Sequence, residues 1–147
     1  MDAAAVAALE ERLGHRFHDR PLLERALTHA SYVNEHPEAT DHGALAFIGD
    51  AVLGLAVAEH LVAAAPDAPV GVLTPGRAEL VSGERLARWA AELDLGALLR
   101  LGRGEDQTGG RARESILATA LEAVLGVVYL ESGLDAARRV VARLAAW

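Results

Sequence analysis

Between Ala44 and Ala58 the chain carries a single polar side chain, Asp50. Phe47-Ile-Gly precedes it and Ala51-Val-Leu-Gly-Leu-Ala-Val follows it. A helix that is apolar on every side belongs inside a protein, so this run reads as a central buried helix with a carboxylate in its middle. An isolated ionised carboxylate there is costly and must be paired, hydrogen-bonded, neutralised or bound to a metal. The run is too short, and too interrupted by Asp50, to span a bilayer. Asp50 is therefore the first residue that could do chemistry.

Other groupings carry less. Glu35, His36, Glu38, Asp41 and His42 crowd one stretch, which reads as a solvated polar loop rather than a metal site. His15-Arg-Phe-His18 reads as surface, and His29 as a structural hydrogen-bonding group rather than a general base. Gly102 to Gly110 has the glycine content of a phosphate-cradling loop. It lacks the following Lys-Ser/Thr and the preceding strand, which argues against a nucleotide site.

Helices must position these groups. The composition is rich in Ala and Leu, and the alternating Val/Ile/Thr runs of a sheet protein are missing. Asp2 caps a first helix running to about Arg12, with Gly14 as its stop. Asp19-Arg-Pro21 opens a second. The central helix ends near Ala65-Pro66, and Pro66 to Gly71 reads as loop. Thr74-Pro75 reads as N-cap and first residue of the next helix. Ser82-Gly83 allows a break before the periodic run Leu86 to Leu93. Gly96 to Leu101 is a short helical turn, Gly102 to Gly110 a flexible loop, Arg111 to about Leu130 a long helix, and Leu134 to Ala146 the last. The expectation is one all-α domain, residues 1–147, of seven to nine helices.

The net charge is −7, with no Lys and no Cys. Thiolate metal sites and disulfides are excluded. The acidic balance opposes tight unaided binding to a phosphate backbone, though Arg suits bidentate phosphate contacts where a local patch exists. No basic region opens the chain, so no signal peptide is expected, and a cytoplasmic protein without a membrane span is the default.

Five stretches taken together resemble the endonuclease domain of the ribonuclease III family. They are Thr28-His-Ala-Ser-Tyr-Val-Asn-Glu35, Phe47-Ile-Gly-Asp50-Ala-Val-Leu53, Leu73-Thr74 with Arg77-Ala-Glu-Leu-Val81, Leu101-Gly-Arg-Gly-Glu105 with Gly109-Gly-Arg111, and Glu114-Ser-Ile-Leu-Ala118 with Leu121-Glu-Ala123. The resemblance implies an all-α fold pairing as a two-fold homodimer, with Phe47 at the dimer interface. It implies Mg²⁺ held by carboxylates, which activates water to cut double-stranded RNA. Asp50 and Glu122 would be the catalytic, metal-binding residues, with Glu105 a further retained acid. Arg77, Arg103, Arg111 and Arg113 are candidates for RNA phosphate contacts. No double-stranded-RNA-binding domain follows the nuclease-type one in this sequence.

The chain departs from the family signature where the chemistry sits. Acids of the family fall on Gly43, Ala46, Val70 and Thr119. Ala46 and Asp50 share one helix face and Thr119 and Glu122 another. Mg²⁺ wants a near-octahedral oxygen set, to which Ala46 supplies nothing and Thr119 only a neutral hydroxyl. Three functions remain open. The domain is a catalytically impaired homodimer that binds structured RNA or a ribonucleoprotein. Alternatively, it is a working Mg²⁺-dependent nuclease with a reduced site. The third choice is a fold reused for protein–protein contact or a small molecule.

Overall fold

The computed structural model describes residues 1–147. It holds ten α-helices and no strand: α1 (Ala3–Leu13), α2 (Arg20–Ala26), α3 (Ala30–Glu35), α4 (Gly43–Ala64), α5 (Val70–Leu80), α6 (Gly83–Glu92), α7 (Leu95–Leu98), α8 (Arg103–Gln107), α9 (Glu114–Ser132) and α10 (Leu134–Ala145). The all-α expectation holds. The count exceeds it because a short helix, α8, and a 3₁₀ turn at Gly110–Ala112 occupy the stretch expected to be flexible loop. That stretch is fixed from afar. The N–H of Gly102 donates to Ser31 Oγ at 2.9 Å and that of Arg103 to Glu35 Oε2 at 2.7 Å.

Local signals set most boundaries. The Asp2 carboxylate accepts from the Ala4 N–H and Asp19 from Leu22, while Gly14 takes the left-handed conformation that closes α1. Ser82 caps α6 through the Arg85 N–H. One boundary moves. α5 begins at Val70, with extended Pro69 as its N-cap, and Pro75 lies inside it. The Pro69 carbonyl accepts from both Val72 and Leu73, so the first turn closes before Thr74. Pro75 then only forgoes its own bond to the preceding turn.

The core is a crossing of α4 and α9. Val52, Leu53, Ala56 and Val57 of α4 and Leu121, Val124, Leu125 and Val128 of α9 are all buried. The crossing is tight because two glycines meet. A Cβ on Gly49 would lie 1.6 Å from the Glu122 carbonyl oxygen, and one on Gly126 would lie 2.3 Å from that of Leu45. The backbones therefore touch with no room for a methyl group.

α4 is not buried on all sides. Its inner face packs on α9, while Phe47 is 82% exposed, Leu55 45% and Val62 50%. At 22 residues it also outruns the apolar stretch read from the sequence. By length and hydropathy alone both α4 and α9 could cross a bilayer, but α9 is the packed centre of this fold. The helix is apolar all round because one face meets α9 and the other is left open.

Gly49→Ala and Gly126→Ala should each destabilise the fold by about 3 kcal/mol or more, since overpacking against rigid backbone has no flexible neighbour to yield. Gly71→Ala, where a Cβ meets nothing, should be neutral or stabilising by up to about 1 kcal/mol. Thermal denaturation of the three variants checks both expectations.

Candidate functional site

The glycine crossing decides what faces what. Asp50 follows Gly49, and Glu122 lies one turn before Gly126, so close approach of the two backbones brings the two acids together. Asp50 sits on the exposed side of α4, not in the core. Glu122 is half-buried, and its carboxyl is pushed up from an ordinary 4.5 to about 8. Burial is the largest cause, followed by the hydrogen-bonding contact with Asp50 and then the Asp50 charge. Near neutral pH the Glu122 carboxyl therefore keeps its proton, which spares the half-buried site a second charge beside Asp50.

The residues at the other signature positions add no charge. Ala46 is buried. The Thr119 hydroxyl donates to the Ser115 carbonyl at 2.8 Å. Gly43 opens α4, its N–H donating to Asp41 Oδ1 at 2.9 Å. Val70 is 74% exposed on α5. Glu105 lies on α8, ion-paired to Arg113. No three His, Asp or Glu side chains converge as a cation site, so Glu105 does not join Asp50 and Glu122. The donor set does not fit the carboxylate-held Mg²⁺ that the fold implies: only two acids meet, and the remaining signature positions hold a methyl group, a hydroxyl already engaged as a donor, and a glycine.

Three of the four arginine candidates are engaged. Arg103 Nε pairs with Glu35 Oε1 at 3.0 Å and Arg111 Nε with Asp106 Oδ1 at 2.8 Å. Arg111 also donates to the Gly96 and Leu99 carbonyls, and Arg113 to that of Thr108. Arg77 borders a shallow groove shared with Asp50, Gly54 and Leu55.

Phe47 lies in an apolar depression of about 330 Å³ with Ile48, Ala51, Val52, Leu55, Tyr129 and Leu134. The Phe of the sequence signature was legible; the Tyr129 and Leu134 contribution was not, because α9 and α10 join α4 only in the fold.

The histidines depart from their sequence reading in two places. His15 is not surface: its ring is nearly buried and contacts Glu131 Oε1 at 2.8 Å, beside buried Phe17. His42 is not in a solvated loop: it is 5% exposed and contacts the Ala26 carbonyl through Nδ1 at 3.1 Å. His29 keeps its expected structural role, its Nδ1 accepting the Ser31 N–H at the start of α3. Together with Asp41, Gly43, Ser115 and Thr119, His29 and His42 border a polar cavity of about 310 Å³. Nothing in the sequence spacing joins residues 29, 42 and 115.

A ribonuclease III-type nuclease fold is what this helical arrangement defines. The ribonuclease-III-like family pattern matches residues 19–146. The nuclease domain of ribonuclease III from Campylobacter jejuni superposes with a TM-score of 0.90 at 36% identity, covering 98% of this chain and 94% of that one. A second structure of that domain, described for flexibility in the region involved in dimer formation, gives 0.89 at 37% identity, over 95% of this chain and 94% of that one. Ribonuclease 3 of Syntrophobacter fumaroxidans is 48% identical over 139 residues, 93% of this chain and 57% of that protein. Ribonuclease 3 of Streptomyces coelicolor is 49% identical over 142 residues, 97% of this chain and 51% of that protein. The chain belongs to the ribonuclease-III-like family, and it spans a little over half the length of these two relatives.

The carboxyl pair predicts a pH signature. A raised folded pKa means that the Glu122 contribution is complete below the ordinary carboxyl value and is lost as pH climbs to about 8. Glu122→Gln, which keeps the proton-bearing shape at all pH values, should therefore gain melting temperature over the parent across that window and level off above it. Melting curves from pH 4 to pH 9, an interval of our choosing around that window, are the check; a constant difference would show that Glu122 is not so shifted.

Proposed function

We propose that this domain pairs with a second copy through the outer face of α4 and binds structured or double-stranded RNA, alone or within a ribonucleoprotein, with little or none of its family's hydrolytic power. We place this work in the cytoplasm. The observation that carries the reading is the reduced acid set: Asp50 and Glu122 are left as a pair, with Ala46 and Thr119 standing where the family signature has acids.

The dimer half rests on the depression around Phe47. A face that lies on a two-fold axis must complement itself, and a protruding aromatic beside an apolar hollow on the same surface does so. The RNA half rests on the family and on the exposed arginines. Arg103, Arg111 and Arg113 are 89%, 39% and 40% exposed at the side chain. Surface ion pairs contribute only about 0–1 kcal/mol, so such a guanidinium exchanges a carboxylate for a phosphate at small cost. With a net charge of −7, that exchange has little long-range attraction behind it, so affinity should be modest and highest at low salt.

Two experiments test the halves separately. Phe47→Asp should weaken self-association by at least about 30-fold, the size of an interfacial hot spot, as read by sedimentation velocity; a parent protein that is already monomeric at high concentration removes the dimer. Incubation with long double-stranded RNA in Mg²⁺ and then Mn²⁺ should give binding without cleavage above an Asp50→Asn control. The double variant Ala46→Glu/Thr119→Asp should gain metal-dependent cleavage. Cutting by the parent that Asp50→Asn abolishes would establish the working-nuclease alternative instead.

A further inference from the structure

The cavity between the starts of α4 and α9 has a donor–acceptor pattern that the carboxyl pair does not explain. His42 contacts the Ala26 carbonyl through Nδ1. A carbonyl can only accept, so Nδ1 carries the proton and Nε2 is a bare acceptor. Every fully buried side-chain nitrogen or oxygen has a partner, so this unpartnered Nε2 is not sealed in, and the His42 ring borders the cavity. His29 has the opposite tautomer. Its Nδ1 accepts the Ser31 N–H at 3.1 Å and the Ser31 hydroxyl, 2.8 Å away, donates to it as well, which leaves the proton on Nε2 as a donor. The two rings stand edge to face, 5.9 Å apart between centroids. The hydroxyls of Ser115 and Thr119 line the same wall, with Ala30 and Ile116 as apolar flanks.

Burial lowers the pKa of both rings; at each, Asp41 opposes the effect, and at His29 Arg113 adds to it. Both are therefore neutral near pH 7. With Asp41 as the only formal charge on the wall, an anion is disfavoured. A cation is disfavoured too, because no three His, Asp or Glu side chains converge there. The matching ligand is uncharged, planar and polar along one edge. The cavity exists because Gly43 and Thr119 stand where the family signature has acids; a carboxylate at either position would fill or charge it.

From this geometry we propose that the cavity at His29, His42, Ser115 and Thr119 binds the hydrogen-bonding edge of a nucleobase, offered by a free nucleoside or by an unpaired nucleotide of RNA. The His29 Nε2–H donates to a ring nitrogen or carbonyl of the base, and His42 Nε2 accepts an amino or imino N–H beside it. Ile116 and Ala30 cover the base face. In its RNA form the inference rests on the function proposed above; in its nucleoside form it stands alone.

The test uses the unmodified chain with ¹⁵N-labelled histidine, titrated separately with adenosine, guanosine, cytidine, uridine, ribose and inorganic phosphate. Long-range nitrogen spectra report the tautomer and environment of each ring. At least one nucleoside should saturably shift the His29 and His42 nitrogens, with ribose and phosphate inert. Gly43→Glu, whose side chain would start 3.1 Å from Asp41 Oδ1, should abolish the shift while melting as a folded protein. Ser115→Ala should weaken it about three- to tenfold, the loss of one hydrogen bond. No shift from any nucleoside up to its solubility limit, an equal shift from phosphate, or a shift retained by Gly43→Glu would each overturn the proposal. A hairpin with an unpaired loop is then compared with a fully paired duplex. Preference for the hairpin that Gly43→Glu removes supports the RNA source. Nucleoside binding without RNA binding supports the cavity and overturns only the RNA reading above.

Discussion

The contact of the Gly49 and Gly126 backbones sets the geometry of this molecule. Helices normally stand apart by the thickness of their side chains. Here a Cβ at either residue would collide with carbonyl oxygen, so α4 and α9 approach as closely as backbone allows. Core packing follows, because Leu53, Val57, Leu121 and Leu125 fill the space on either side of the contact. The functional surface follows as well. Asp50 and Glu122 face each other because each is anchored within one turn of the crossing, and the starts of both long helices are held where the polar cavity opens.

Removing negative charge from such a place changes its electrostatics in kind. A cluster of carboxylates at a helix crossing calls for a cation or for bound protons, since like charges at short range raise one another's pKa. With Ala46 and Thr119 in place, a proton on Glu122 lowers the charge of the surviving pair. Beside it lies a hollow lined by hydroxyls and imidazoles, with Gly43 and Thr119 on its wall. The same scaffold thus presents uncharged hydrogen-bonding groups at positions where the family signature has acids.

Local chemistry made much of the fold readable. Caps at Asp2, Asp19 and Ser82, the stop at Gly14 and the long apolar run of α4 are signals carried by a few adjacent residues. Where partners lie far along the chain, the reading failed. The Gly102–Gly110 stretch has a loop composition, yet Ser31 and Glu35 order it. His42 looked solvated among its polar neighbours, but Ala26 receives it in the interior. The open face of α4 was read as buried because hydrophobicity says that a surface must be covered and does not say by what. Asp50 and Glu122 were legible through the family signature; the groups that border their neighbourhood were not.

Glu131, near the end of α9, has a different sort of consequence. Its carboxylate receives the His15 ring and the backbone N–H groups of His18 and Asp19, and Arg143 of α10 binds the Glu11 and Arg12 carbonyls at the end of α1. These contacts join residues 112 to 132 apart along the chain. Closing loops of that length costs chain entropy before any contact rewards it. The first helix should accordingly be a late arrival during folding and an early departure in native-state opening, and its amide hydrogens should exchange with solvent sooner than those at the centre of α9.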